Sequence, residues 1–172
     1  MNILFDLDQT LVDSVALLPY REKRQWRTVM ALIPSMTTFA GVPEMLDCLL
    51  RAGHCLGVVT SAPRMYCEAV LHHLGLAKYF TTIVCYHDTR HHKPHPEPVL
   101  FTLQQLGADP AQSVMIGDED RDIAAGRAAG VTTVLASWGI TSSVTVQPVV
   151  VCQTPRELVQ FIVLTSAHPT MN

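Results

Sequence analysis

The stretch NILFDLDQTLVDS, residues 2–14, decides the fold. Ile3, Leu4 and Phe5 form a short apolar run that stops at Asp6, and Asp8 follows two residues later. A run this brief, closed by charge, reads as a buried strand whose carboxyl end delivers acids. The same pattern recurs down the chain. Cys55 to Val59 runs into Thr60-Ser61, Thr82 to Cys85 is followed by Lys93, and Ser113 to Ile116 runs into Gly117-Asp118-Glu119-Asp120-Arg121-Asp122. Val131 to Ala136 supplies a fifth strand. Helices are predicted between them, one opened by Gly41-Val42-Pro43-Glu44 and closed at Gly53, others ending at Gly75, Gly107 and Gly130. A last helix runs from Pro155 to Leu164 with Thr154 as its cap. Apolar strands alternating with helices predict an α/β fold, a central parallel sheet covered on both faces. In such sheets ligands bind outside the carboxyl ends of the strands. Four strand ends therefore bring carboxylates, hydroxyls and an ammonium to one place.

Composition narrows the class. The chain has 172 residues, 48% of them hydrophobic, enough for one domain over 1–172 with a sizeable core. Charged residues make up 16%, against a usual value of about 25%, so the placing of each charge is informative. Seven of the fifteen acids fall in two blocks, Asp6, Asp8 and Asp13, then Asp118, Glu119, Asp120 and Asp122. A net charge of −3 gives no basic surplus for nucleic acid. The five cysteines are odd in number and show no Cys-x-x-Cys spacing, which argues against a disulfide framework and for reduced thiols. The acids near the N-terminus and the short apolar runs predict a protein with no leader and no membrane span, placed in the cytoplasm.

One segment breaks the alternation. Residues 15–39, from Val15 to Phe39, lie between the first strand and the first regular helix and are predicted to hold one helix, Tyr20 to Leu32. Arg21, Arg24 and Arg27 would then share a broad face, either solvated or turned as positive charge toward the strand ends. Trp26 on that helix packs on the core or stacks on a ligand.

Clustered carboxylates repel one another unless a cation binds them, and ligands that are all oxygen select a hard ion, Mg²⁺ foremost. A metal, a lysine and hydroxyl donors together clamp a phosphoryl group. The residues that form this set carry a family resemblance. Asp6-Leu-Asp8-Gln-Thr-Leu-Val-Asp13-Ser14 resembles the first motif of the haloacid dehalogenase superfamily of phosphatases, and Val58-Val59-Thr60-Ser61 the second. Lys93-Pro94-His95-Pro96-Glu97-Pro98 is similar to its lysine motif, and Gly117 to Asp122 to its fourth. Gln9 departs from the pattern, where the family most often has Gly.

The resemblance implies a three-layer Rossmann-like core with residues 15–39 as a small helical cap insert. It implies a Mg²⁺-dependent phosphatase that hydrolyses phosphate monoesters through an aspartyl-phosphate. Asp6 would be the nucleophile and Asp8 the acid and base. Thr60, Ser61 and Lys93 would hold the phosphoryl group. Asp6, the backbone carbonyl of Asp8, and Asp118 would bind Mg²⁺, with Asp122 supporting the metal or orienting Lys93. The second Asp favours phosphoryl transfer over cleavage of a carbon–halogen bond. So short a cap leaves the site open, which suits an extended phosphorylated substrate as well as a phosphorylated small molecule. Phosphomutase activity, and a non-enzymatic phospho-acceptor or binding domain, are the alternatives.

Other features remain open at this level. Ser61 either caps the next helix or meets phosphate. Glu119 and Asp120 read as solvated acids of a first helical turn. His87, His91, His92 and His95 lie within nine residues of one another, a density that suits either zinc or the rim of the site, although the Cys pair of known zinc loops in the superfamily is absent.

Overall fold

The structure, a computed structural model, describes residues 1–139 and 143–167. In chain order the elements are β1 (Asn2–Phe5), β2 (Val12–Asp13), α1 (Leu18–Glu22), α2 (Trp26–Leu32), β3 (Thr37–Thr38), α3 (Val42–Arg51), β4 (Cys55–Val59), α4 (Arg64–His73), β5 (Thr82–Val84), α5 (Glu97–Leu106), β6 (Ser113–Gly117), α6 (Asp120–Ala128), β7 (Thr132–Ala136), β8 (Val150–Cys152) and α7 (Pro155–Ala167).

Six strands form one sheet in the order β5-β4-β1-β6-β7-β8, every pair parallel. From β1 the chain goes first to β4 and β5 on one side, then returns to β6, β7 and β8 on the other. The reversal of direction falls at β1, which is where an open α/β sheet forms its crevice. Register keeps the strand ends level, with Phe5 opposite both Val58 and Ile116. The residues that leave β1, β4 and β6 therefore emerge at one height.

The pleat sorts the apolar residues into two layers. Ile3 and Phe5 pack with Met45, Leu46 and Leu49 of α3, Tyr66, Val70 and Leu71 of α4, and Leu158 and Ile162 of α7. Leu4 points the other way, into a smaller cluster with Val99 and Leu103 of α5 and Ala125 of α6. Strands covered on both faces must be apolar throughout, which is why β1, β4 and β6 read as unbroken runs.

Two expectations need correction. The five expected strands are joined by a sixth, β8, paired to β7 with Val150 opposite Val134. The single helix expected over Tyr20 to Leu32 is two. α1 closes with the Gln25 N–H donating to Tyr20 O at 2.8 Å, and Arg24 takes a left-handed φ of +53° before α2 begins. The break lets Leu17, Val29, Ile33 and Met36 all reach the core. Arg21, Arg24 and Arg27 consequently share no face. The ends of this segment are clipped together by β2 and β3, antiparallel, with Val12 opposite Thr38 and Asp13 opposite Thr37.

α6 lies so close to the sheet that a Cβ on Gly126 would sit 2.6 Å from Thr133 Cγ2 and 3.0 Å from Met115 Cβ. In an open helix, Gly→Ala gains about 1 kcal/mol. Overpacking of this kind costs roughly 1–3 kcal/mol. Gly126→Ala is therefore expected to lower the urea midpoint, with a net loss of about 1 kcal/mol. A midpoint at or above that of the wild type would mean that the layers have room.

Candidate active site

Asp6 is the first residue beyond β1, and its N–H still donates to Ile116 O at 2.8 Å, so the ladder fixes its place. Behind it lies Lys93, brought in by the loop after β5. The Lys93 Nζ donates to Asp6 Oδ1 at 2.6 Å, to Asp122 Oδ1 at 2.6 Å and to Val59 O at 2.9 Å. An ammonium has three protons, and these partners take all three. Burial alone would lower the pKa of Lys93, but the charges of Asp122 and Asp6 outweigh it and hold the pKa above the ordinary value.

Asp118 and Asp122 come from the end of β6 and the start of α6. Asp122 sits in the first turn of α6, where its Oδ2 accepts the Glu119 N–H at 3.1 Å and leaves Oδ1 for Lys93. Gly117 makes this approach possible, since a Cβ there would lie 2.3 Å from Asp122 Cβ. Asp118 Oδ1 accepts a hydrogen bond from Thr10 Oγ1 at 3.0 Å. One ligand atom from each of Asp6, Asp118 and Asp122 lies within 4.8 Å of the others, and all three residues are buried. Burial, then the charges of Asp6 and Asp122, push Asp118 up to about 8. Burial pushes Asp122 up to about 6 against the pull of Lys93. With all three carboxyls ionised, three negative charges face one ammonium, and a hard divalent cation with oxygen ligands fits that surplus of two in charge and chemistry.

The side chain of Asp8 stands apart from the three. Its Oδ1 accepts from Tyr66 Oη at 2.7 Å, and its Oδ2 pairs with Arg21 Nη2 at 2.6 Å. Arg21 also lies over the Tyr66 ring at 5.2 Å and donates to Ser14 Oγ at 3.2 Å. Burial raises the Asp8 pKa, Arg21 opposes the rise and Asp6 adds to it. Burial and the Asp8 charge raise Tyr66 as well, so its phenol keeps its proton and donates. Thr60 Oγ1 accepts the Ala62 N–H at 3.1 Å, which leaves its own proton to donate. Pro63, and not Ser61, precedes α4, so Ser61 caps nothing.

These groups border a cavity of about 70 Å³ lined by Asp6, Asp8, Arg21, Thr60, Ser61 and Arg121 among others. Lys93 lies behind Asp6 and does not line it. The structure brings all seven expected side chains to Asp6 or the cavity wall: Asp6, Asp8, Thr60 and Ser61 line the cavity, Lys93 bonds to Asp6, and Asp118 and Asp122 complete the buried carboxylate trio. Tyr66 and Thr10 escape sequence reasoning, because an isolated Tyr on a helix and a Thr in a tight turn carry no local sign of their partners. Of the basic block, only Arg21 reaches the cavity, and Arg24 and Arg27 are exposed elsewhere. Asp120, expected to be solvated, accepts from Thr145 N and Oγ1 and from Val146 N, and so ties down the chain ahead of β8. Glu119 pairs with Arg121 at 2.5 Å beside the cavity. Gln9 takes φ +62°, the left-handed region, which explains the usual preference for Gly there.

The haloacid dehalogenase-like hydrolase family model matches residues 20–136. Pyrophosphatase PpaX of Bacillus velezensis is 40% identical over 105 residues, 61% of this chain and 49% of that protein. N-acetylmuramic acid 6-phosphate phosphatase of Pseudomonas aeruginosa is 40% identical over 101 residues, 59% of this chain and 45% of that protein. The matched region thus spans about half the length of these curated relatives. A HAD phosphatase structure from Thermococcus onnurineus superposes with a TM-score of 0.79 at 21% identity, over 94% of this chain and 97% of that one, which is a likeness of fold.

The raised pKa of Asp118 has a consequence for stability. Without metal, the folded state binds this proton more tightly than the unfolded state does. Its contribution is therefore full at low pH and is lost as pH rises between the ordinary 3.8 and about 8. Asp118→Asn removes the titration while keeping an acceptor for Thr10. In chelator, the variant is expected to melt above wild type by a margin that widens through this window. Mg²⁺ is expected to narrow the margin by stabilising the wild type alone. A margin that stays constant with pH would show that Asp118 holds no shifted proton.

Proposed function

The chain belongs to the haloacid dehalogenase-like hydrolase family, and on that premise we propose that it hydrolyses phosphate monoesters through a phosphoryl-Asp6 intermediate with Mg²⁺ as cofactor. The observation that carries this reading is the grip of Lys93 on one oxygen of Asp6. With Oδ1 held, Oδ2 is the oxygen left to attack phosphorus, and Asp6 faces the cavity. A carboxylate fixed in this way is a positioned nucleophile.

Asp6, Asp118 and Asp122, with the backbone carbonyl of Asp8, would hold the metal, whose charge offsets that of the phosphoryl oxygens. Asp6 Oδ2 forms a bond to phosphorus while the bond from phosphorus to the ester oxygen breaks. Asp8 gives its proton to that leaving oxygen. Asp8 then takes a proton from water, the water oxygen bonds to phosphorus, and the link to Asp6 breaks to release inorganic phosphate. Burial, which raises the Asp8 pKa, favours the protonated acid that the first step needs. Tyr66 and Arg21 orient the carboxyl between turns of this cycle. Thr60 and Ser61 donate to the phosphoryl oxygens. Lys93 has no free proton for them and acts through Asp6, a narrower role than direct phosphate binding.

The cavity has room for a phosphoryl group and little more, so the body of the substrate lies outside it. Val15 and Leu18, both exposed, form the lip on the side of α1. Residues 15–39 would act as a reduced cap on one domain of residues 1–172. The substrate would be a phosphorylated small molecule or an extended phosphorylated group. All five cysteines are free, in keeping with a cytoplasmic setting. Among the described residues no helix is long and apolar enough to cross a membrane.

Asp6→Asn keeps the shape and an acceptor for Lys93 but removes the attacking charge. Turnover of a chromogenic phosphate monoester with Mg²⁺ is expected to fall about 10³-fold or more. Near-normal turnover would end this mechanism. Arg21→Ala, which removes both a positive charge at the cavity and the partner that orients Asp8, is expected to lower kcat as well as raise KM for a multiply charged phosphate ester, with kcat/KM down at least about tenfold. Arg24→Ala and Arg27→Ala are expected to leave KM unchanged. Equal effects from all three would return the block to a general electrostatic role.

A further inference from the structure

The loop between β5 and α5 carries HHKPHPEP at residues 91–98. Folding brings His91, His95 and Glu97 together, with one ligand atom from each within 4.8 Å of the others. His91 Nδ1 lies 2.5 Å from Glu97 Oε2, and the His91 and His95 rings stack with centroids 4.4 Å apart. Both histidines are exposed and Glu97 is half-buried. The loop backbone holds Glu97 in place, since Oε1 accepts the Arg90 N–H at 2.9 Å and Oε2 the His91 N–H at 3.0 Å. The Arg90 bond and the His91 side chain pull the Glu97 carboxyl down to about 2, so it stays ionised. The Glu97 N–H reaches His95 Nδ1 at 3.2 Å. A backbone N–H can only donate, so His95 Nδ1 presents its lone pair there, and a metal ion bound at Nδ1 would take that lone pair in place of the N–H. The other two histidines are engaged elsewhere, His92 stacked on Tyr86 at 3.8 Å and His87 edge-on to the same ring at 5.0 Å.

Two imidazoles and a carboxylate form a donor set for a borderline transition metal, Zn²⁺ foremost, and not for Mg²⁺, which takes oxygen ligands. Bonds of about 2.0–2.1 Å in a tetrahedron put ligand atoms roughly 3.4 Å apart, so binding would draw the three atoms in from their spacing of within 4.8 Å. Pro94 and Pro96 fix φ at two positions of the loop and Pro98 at the second residue of α5, so little disorder is lost on binding.

We propose that His91, His95 and Glu97 bind a Zn²⁺-type ion at a site separate from the buried carboxylates, and that the ion straps the loop on which Lys93 is carried. His91 and His95 stand two residues to either side of Lys93. The ion takes the place of the proton between His91 Nδ1 and Glu97 Oε2; in a neutral ring that proton moves to Nε2, and a doubly protonated ring keeps Nε2–H and releases the Nδ1 proton to solvent.

The test is calorimetric titration of the untagged full chain with Zn²⁺ in saturating Mg²⁺, with melting followed in parallel. One Zn²⁺ per chain is expected for the wild type and for Asp118→Asn. Affinity is expected to drop at least about tenfold in His91→Ala and in His95→Ala. Zn²⁺ is expected to raise the melting temperature of the wild type and not that of His95→Ala, whose metal-free melt serves as the control for folding. Binding unchanged in both histidine variants, binding lost in Asp118→Asn, or no binding by the wild type would each overturn the proposal.

Discussion

Lys93 is buried with its ammonium 2.6 Å from the carboxylates of Asp6 and Asp122, and the rest of the site is built around that arrangement. Removing one partner from a buried ion pair costs about 3–5 kcal/mol, because the remaining charge has neither water nor a counter-ion. The loops after β1, β5 and β6 are therefore compatible only as a complete set. The same accounting limits what the lysine can do. Its three protons are committed to Asp6, Asp122 and Val59, so in the proposed reaction it would aim the Asp6 carboxylate and leave contact with the phosphoryl group to hydroxyls and a metal. With all three carboxyls ionised, a surplus of two negative charges persists after Lys93 is counted, a deficit that a divalent cation would balance.

Much of this was legible in the sequence because burial on both faces leaves a strong local signal. β1, β4 and β6 are unbroken apolar runs that end in acids or hydroxyls, and level register does the rest. The carboxylates stand at strand ends, while Lys93, nine residues beyond β5, is picked out by the family resemblance of its motif. What could not be read depends on contacts far apart in the chain. Tyr66 reaches Asp8 across 58 positions, and Thr10 reaches Asp118 across 108. The break between α1 and α2 arises because four side chains must reach the core, which overrides a helical pattern of arginines. β8 escaped because three valines in a row suit a strand and a linker equally until a neighbour pairs with them.

The two clusters of ligand atoms differ in kind. Asp6, Asp118 and Asp122 are buried, all oxygen and strained by mutual repulsion. His91, His95 and Glu97 are at the surface, mixed in donor type and already joined by hydrogen bonds. Donor type separates the ions the two would favour, oxygen alone suiting Mg²⁺ and imidazole with carboxylate suiting Zn²⁺.

The two-residue pairing of β2 with β3 reaches beyond local geometry. It fixes the ends of the segment above the cleft to each other, whatever lies between them. Doubling the length of a closed loop costs only about 0.6 kcal/mol of entropy. The clip therefore works as a socket, in which a longer or shorter excursion can be exchanged between Asp13 and Thr37 while the sheet below keeps its register. Substrate range can then diverge through insertions and deletions at one point, uncoupled from the residues that carry out the reaction.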